Sequence, residues 1–200
     1  MEYRVAESFL SFQGEGLFAG RRAFFVRLFG CNVKCPWCDS KYAWSGTARE
    51  SASADELAER AAASGAEIAV ITGGEPCLHD LRELVAALRA NKIAAHLETS
   101  GTLEIPDIDW IALSPKLFCP PISENIARAD ELKMIVSTPD ELGVYAAVAE
   151  SAERAQALWL EPEWSKSRDK RLLCAISEFV LERGGKYRCG WQMHKNYFAR

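Results

Sequence analysis

The sequence predicts an α/β fold: a truncated, partial (β/α) barrel with some helices replaced by loops. Three observations predict it. Short apolar runs recur along the chain, several of them continuous rather than alternating, as in strands buried on both faces. Amphipathic segments with capping signals lie between some of these runs, which implies βαβ units and a parallel sheet. The glycine-rich and polar segments fall just after the strands, on the rim where such sheets carry their chemistry.

Taken in order, the strands fall at 23–29, 67–72, 93–98, 109–113, 132–137, 157–160 and 187–192. Ser53-Ala54-Asp55-Glu56 is a capping box that opens a helix to about residue 64, closed by Gly65. Thr138-Pro139-Asp140-Glu141 repeats the device, with proline at the first helical position. Further helices fit 79–91 and 170–183, the second ending at Gly184-Gly185. No helix fits between 98 and 109, or in the proline-rich stretch 115–121. With no internal repeat and no linker, residues 1–200 read as one domain.

The composition is that of a globular protein, 48% hydrophobic and 26% charged. A net charge of −4 and a pI near 5.5 argue against a dominant electrostatic grip on nucleic acid or anionic membrane. The basic cluster at 166–171 reads as a solvated helix start. Apolar runs such as 68–71 are too short to cross a bilayer, and Met1-Glu2-Tyr3-Arg4 shows no charged-then-apolar leader. The expectation is a cytoplasmic protein that engages neither nucleic acid nor membrane. Its seven cysteines, an odd number in that setting, argue against a disulfide framework. Cys77, Cys119, Cys174 and Cys189 are scattered singly and read as buried structural thiols.

The other three are clustered. Cys31-x3-Cys35-x2-Cys38 places three thiolates on one short loop, within residues 30–46. A closed structural zinc or iron–sulfur site wants four protein ligands, so three on a cubane leave one iron open for chemistry. The alternative is zinc completed by His79, His96, His194 or a fourth cysteine. Three further loops after strands are unusual: Gly73-Gly74-Glu75-Pro76, Thr99-Ser100-Gly101 and Ser114-Pro115-Lys116. With the cysteine loop they should converge on one rim.

Cys31-Asn32-Val33-Lys34-Cys35-Pro36-Trp37-Cys38 resembles the signature of the radical S-adenosylmethionine (SAM) superfamily. Gly73 to Pro76 is similar to its second motif, which holds the methionine amino group of SAM. The resemblance implies a [4Fe–4S] cluster on Cys31, Cys35 and Cys38, its fourth iron chelated by SAM, and a 5′-deoxyadenosyl radical that abstracts hydrogen from substrate. The cofactor supplies that chemistry while the protein positions it. By the same resemblance, SAM would be contacted at Trp37, Cys38, Asp39, Gly74, Glu75, Ser100, Ser114, Pro115, Lys116 and Glu161.

Within the superfamily, Phe12-Gln13-Gly14-Glu15-Gly16, Phe25-Val26-Arg27-Leu28, Gly30-Cys31-Asn32, Cys38-Asp39-Ser40, Glu98-Thr99-Ser100-Gly101, Ser114-Pro115-Lys116 and Gln192-Met193-His194-Lys195 resemble the 7-carboxy-7-deazaguanine synthase family nearly end to end. That family implies ring contraction of 6-carboxy-5,6,7,8-tetrahydropterin with loss of ammonia, dependent on Mg²⁺, on the pathway to queuosine. It also implies a reductant protein of flavodoxin or ferredoxin type and a homodimer. Phe12, Gln13, Gly14 and Glu15 would read the pterin edge, and Arg27 would pair with the substrate carboxylate. Thr72 and His194 would lie nearby, Arg200 would act through its main chain, and the Ser40 hydroxyl would hold Mg²⁺. Ser40 stands where many members have Thr. Glu161-Pro162-Glu163-Trp164 stands where a Gln-Pro pair touching SAM is expected. Two other readings are open. A glycyl-radical-activating enzyme would keep the cofactor but leave Gln13 to Glu15 unexplained. A zinc or electron-transfer module would need a fourth ligand and leave Gly73 to Pro76 without a use.

Overall fold

The computed structural model describes residues 1–199. Nine strands form one sheet: β1 (Glu2–Phe12), β2 (Arg22–Leu28), β3 (Glu50–Ser53), β4 (Ile68–Gly73), β5 (Ala94–Thr99), β6 (Trp110–Leu113), β7 (Glu131–Val136), β8 (Ala157–Pro162) and β9 (Tyr187–Cys189). Their order is β3-β1-β2-β4-β5-β6-β7-β8-β9. From β2 through β9 every neighbouring pair is parallel, while β1 runs antiparallel to both β2 and β3. The sheet does not close, so the architecture is a partial barrel as predicted.

Six helices accompany it: α1 (Ala54–Ala63), α2 (Arg82–Ala90), α3 (Ser123–Arg128), α4 (Glu141–Ala149), α5 (Lys170–Arg183) and α6 (Met193–Asn196). The capping box at α1 is complete: the Ser53 hydroxyl accepts from Glu56 N–H while the Glu56 carboxylate accepts from Ser53 N–H. Helix α5 starts at an Asp169 cap and ends at Gly184, whose φ is +59°. Helix α2 begins three residues later than the 79–91 reading, because Pro76–Leu78 forms a separate 3-10 turn. The second capping box is not made. Helix α4 starts at Glu141, whose carboxylate reaches back to Ser137 N–H, and the Thr138-Pro139-Asp140 segment is a turn before it. No helix lies between β5 and β6, as read, but the short α3 follows the proline-rich stretch unforeseen.

The strand alternation sorts the sheet into two faces. Leu28, Ile71, Leu97, Leu113, Leu132, Met134 and Leu160 point outward and pack under Leu57, Leu84, Leu88, Leu142, Leu172 and Ile176 of the helices. Each fully buried leucine or isoleucine contributes about 1.5–3 kcal/mol. The inner face instead carries Arg27, Thr72, Glu98 and Lys133. The helix-covered side is thus apolar, while the inner face carries the polar chemistry above a smaller apolar cluster of Ala23, Ile68 and Val70. Among the described residues no helix is long and apolar enough to cross a membrane. All seven cysteines are free; Cys77 and Cys119 are half-buried, but Cys174 and Cys189 are exposed, contrary to the expectation of buried thiols.

Candidate active site

The inner face opens into a cleft of about 280 Å³ at the C-terminal ends of the parallel strands. All four unusual strand-end loops reach it, bringing Cys31, Cys35, Cys38, Gly73, Gly74, Glu75, Thr99, Ser100, Ser114 and Lys116 together. Phe12, Gln13, Gly14, Glu15, Arg27, Trp37, Asp39, Ser40, Thr72 and His194 line it too. Two predicted residues do not: Pro115 and Glu161 are buried outside the lining. Arg200 lies outside the described residues.

The two motif loops are locked together by backbone. Gly74 N–H donates to Leu28 O at 3.1 Å and Glu75 N–H to Gly30 O at 2.7 Å. A Cβ on Gly74 would stand 2.2 Å from Gly30 O and 2.7 Å from Cys31 Cβ. Glycine is needed here for close approach, not for a left-handed φ. The Glu75 carboxylate, fully buried, accepts from the Thr99 hydroxyl (2.6 Å), Cys77 N–H (3.2 Å), Ser100 N–H (2.9 Å) and the Ser100 hydroxyl. It therefore ties the loop after β4 to the loop after β5. Its oxygens are spent on the protein, leaving backbone groups of the Gly73–Gly74 segment to meet a ligand.

On the cysteine loop, Cys31 Sγ accepts from Lys34 N–H and Cys38 Sγ from Ser40 N–H, each at 3.3 Å. Burial pushes the Cys35 thiol up, against the pull of the Lys116 ammonium. Among the described residues no three His, Cys, Asp or Glu side chains are gathered around a single ion position. Two of the three histidines offered for a zinc site are otherwise engaged, His79 Nε2 bonding Phe29 O at 2.9 Å and His96 packed against Phe18 and Trp110, while His194 lines the cleft. Three sulfurs on one cleft wall, two of them accepting backbone N–H bonds, fit a cluster held by one loop. Lys116, buried and lowered by desolvation, donates to Ser114 O and the Ser114 hydroxyl, whose own proton goes to Lys133 O. It makes no salt bridge among the described residues and so is a cation available to a ligand carboxylate.

The opposite wall is ionic. Arg27 Nε donates to Glu7 Oε1 at 2.9 Å, and the Tyr42 hydroxyl donates to the same oxygen. Lys133 pairs with Glu15 at 2.8 Å and with Glu98. Burial alone would raise the Glu15 carboxyl, but Lys133, with help from Gln192, holds it down at about 2. Burial keeps His194 below its usual range. At the floor, Glu131 accepts from Trp159 Nε1 (2.7 Å), Trp110 Nε1 (3.1 Å) and Leu17 N–H (2.9 Å), anchoring the turn at Gly16. Ser40, buried, donates to Asp39 Oδ1, and Asp39 pairs with Lys195 of α6.

Comparison with known proteins identifies the class. The family model of the radical SAM superfamily matches residues 26–139. The 7-carboxy-7-deazaguanine synthase of Synechocystis sp. is 37% identical over 98% of this chain and 92% of its own, and that of Flavobacterium psychrophilum 34% over 96% and 90%. The crystal structure of QueE from Escherichia coli superposes with a TM-score of 0.84 at 32% identity, covering 97% of this chain and 95% of that one. A three-cysteine loop locked to a Gly-Gly-Glu-Pro loop on a partial barrel is thus the site of a radical SAM enzyme, with a [4Fe–4S] cluster and SAM as its cofactors. The chain belongs to the 7-carboxy-7-deazaguanine synthase family, radical SAM lyases that depend on Mg²⁺.

Glu7 and Lys133 are absent from the sequence-based expectations, and Glu98 and Gln192 figure there in motifs but with no role in the site. The signal was present for two of them: Glu98 and Lys133 are charges inside runs that otherwise read as strands buried on both faces.

Proposed function

We propose that this chain converts 6-carboxy-5,6,7,8-tetrahydropterin to 7-carboxy-7-deazaguanine with loss of ammonia, and that its predicted site residues carry that reaction. The observation that carries the reading is one cleft with two unlike walls, thiols and a free lysine on one side and anchored carboxylates with an arginine on the other. When bound, the cluster and SAM together supply a hydrogen-abstracting radical.

The chain's own residues do the rest. Cys31, Cys35 and Cys38 hold the cluster. Gly74 backbone, Ser100 and Ser114 line the SAM side with Trp37 and Asp39, and Lys116 takes its carboxylate. Gln13 and Glu15 read the donor-rich pterin edge, helped by Phe12 and Gly14, while Arg27 takes the substrate carboxylate. The Ser40 hydroxyl fits a hard cation that keeps most of its water and binds substrate oxygens. Trp164 and α6 shield the cleft from water. An external reductant protein is required, since one electron enters per radical. We further propose one domain over residues 1–200, a cytoplasmic setting and a homodimer, as in the family.

The test is an anaerobic assay of the iron–sulfur-reconstituted protein with the carboxytetrahydropterin, SAM, Mg²⁺ and a reductant. A deazapurine product, absent in Cys35→Ala, is expected. No product from a protein with full iron and sulfide content refutes the reading.

A further inference from the structure

Lys133 stands in the middle of β7, its side chain 5% exposed, and its ammonium bridges two carboxylates on different elements. Glu15 comes from the loop after β1, Glu98 from β5. Gln13 completes a ring: its Nε2 donates to Glu98 Oε1 at 3.0 Å, while its Oε1 accepts from Glu15 N–H at 3.2 Å. The residues that read the substrate are therefore connected to one another through a lysine buried behind them.

We propose that Lys133 is a positioning residue for substrate recognition, fixing Glu15 and Glu98 side by side as hydrogen-bond acceptors for a ligand edge rich in N–H donors. This rests on the function proposed above and deepens it. Two buried carboxylates on one wall cannot both stay ionised without a cation between them, since like charges at short range force one to take a proton. A protonated carboxyl presents an O–H, which meets a ring or amino N–H donor to donor. Lys133 opposes that mismatch: burial and Glu15 push the Glu98 carboxyl up, and the ammonium beside it pulls both carboxyls down.

The surrounding charges support the assignment. Facing Lys133 are Glu15, Glu98 and Glu161, with Glu131 on its own strand and Lys116 beyond. Glu131 spends its oxygens on two indole donors and Leu17 N–H rather than on Lys133. Glu161, on β8, is wholly buried, and neither of its oxygens has a partner. Burial and the Glu15 charge raise its carboxyl well above the usual range, and it makes no hydrogen bond to Lys133, so the two direct partners of the ammonium are Glu15 and Glu98. A Cβ on Gly190 would lie 2.4 Å from Glu161 Cγ, which seals that carboxyl away from solvent. Attraction to Glu15 and Glu98 outweighs burial and lifts the Lys133 ammonium well above its ordinary value, so it is charged throughout the working range.

The experiment compares wild type, Lys133→Met, Lys133→Arg and the isosteric Glu98→Gln as reconstituted holoenzymes. It reads KM and kcat for the pterin, the pH profile of kcat/KM, and SAM cleavage without substrate. Lys133→Met is expected to raise KM about 100-fold with kcat within a few-fold, and to leave substrate-free SAM cleavage intact. Its kcat/KM profile should be displaced to higher pH than that of wild type, because without the ammonium Glu15 and Glu98 need a higher pH to ionise, while the nearby His194 is common to both proteins. Lys133→Arg should recover most of the KM. An unchanged KM, or a parallel fall in substrate-free cleavage, overturns the proposal. Should Lys133→Met fail to fold, Glu98→Gln decides: a raised KM with cleavage intact supports the assignment, and an unchanged KM overturns it. If wild type itself does not convert the pterin, the function fails; if it converts but the variants match it, only this inference fails.

Discussion

Gly14 and His194 are in direct contact across 180 residues of sequence: a Cβ on Gly14 would stand 2.2 Å from Nδ1 of His194. Met193 N–H also donates to Gly14 O at 2.9 Å, and Gln192 Nε2 donates to Glu15 at 2.7 Å. Helix α6 is thus docked on the substrate-reading loop, and glycine is present at 14 because a histidine occupies the space. Gly14→Ala must push His194 away. The expected result is a KM for the pterin raised about tenfold or more, with substrate-free SAM cleavage retained. Steady-state kinetics check this, and an unchanged KM would show that the loop relaxes without cost.

Arg27 has one nitrogen committed to Glu7, so its orientation is set before any ligand arrives. Removing a charged hydrogen-bonding partner of a substrate carboxylate costs about 1.5–3 kcal/mol, or roughly 10- to 100-fold in affinity. Arg27→Ala is expected to lose that much in kcat/KM while SAM cleavage without substrate continues. Equal losses in both assays would make the Glu7 pair purely structural.

Glu75 serves four donors at once, and Glu75→Ala orphans them in a buried place. A stability loss of about 3–5 kcal/mol is expected from urea unfolding of the anaerobic protein, with SAM affinity falling in step. A loss below about 1 kcal/mol would mean that water replaces the carboxylate.

Glu161 gives a pH signature. Burial holds its folded carboxyl above the ordinary value of 4.5, so the folded chain keeps a proton that the unfolded chain releases. Stability from this group is complete below the unfolded value and is lost as pH rises toward the folded one, by up to about 1.4 kcal/mol per unit. Glu161→Gln removes the slope. Its advantage over wild type in urea midpoints should therefore widen between about pH 5 and 8; a constant gap would show that Glu161 is not the group that titrates.

Much of the layout was legible in the sequence because continuous apolar runs and caps are local signals. The seven parallel strands and α1 and α5 follow from them. Strand β1 escaped because a bulge between Val5 and Glu7 breaks the alternation, so no single period describes it. Strand β3, Glu-Ser-Ala-Ser, has no apolar run at all and is a strand only because β1 pairs with it. In the site, Cys31 to Cys38 and Gly73 to Pro76 could be read from spacing. The role of Glu75 could not, because three of its four donors come from Thr99 and Ser100, which only the strand order brings beside it. The Glu15–Lys133–Glu98 bridge joins residues 118 and 35 positions apart, and only the strand order makes them neighbours.

The unclosed sheet has one more consequence. Strand β9 is three residues long and, among the described residues, has no partner on its far side, so no ladder stitches it to β1. That seam is spanned by Gln192, Met193 and His194, anchored on Gly14 and Glu15, the groups proposed above to read the pterin. On that proposal ligand occupancy and tail attachment form one linked equilibrium: added pterin is expected to slow proteolysis of the tail, and cutting the tail is expected to weaken pterin binding.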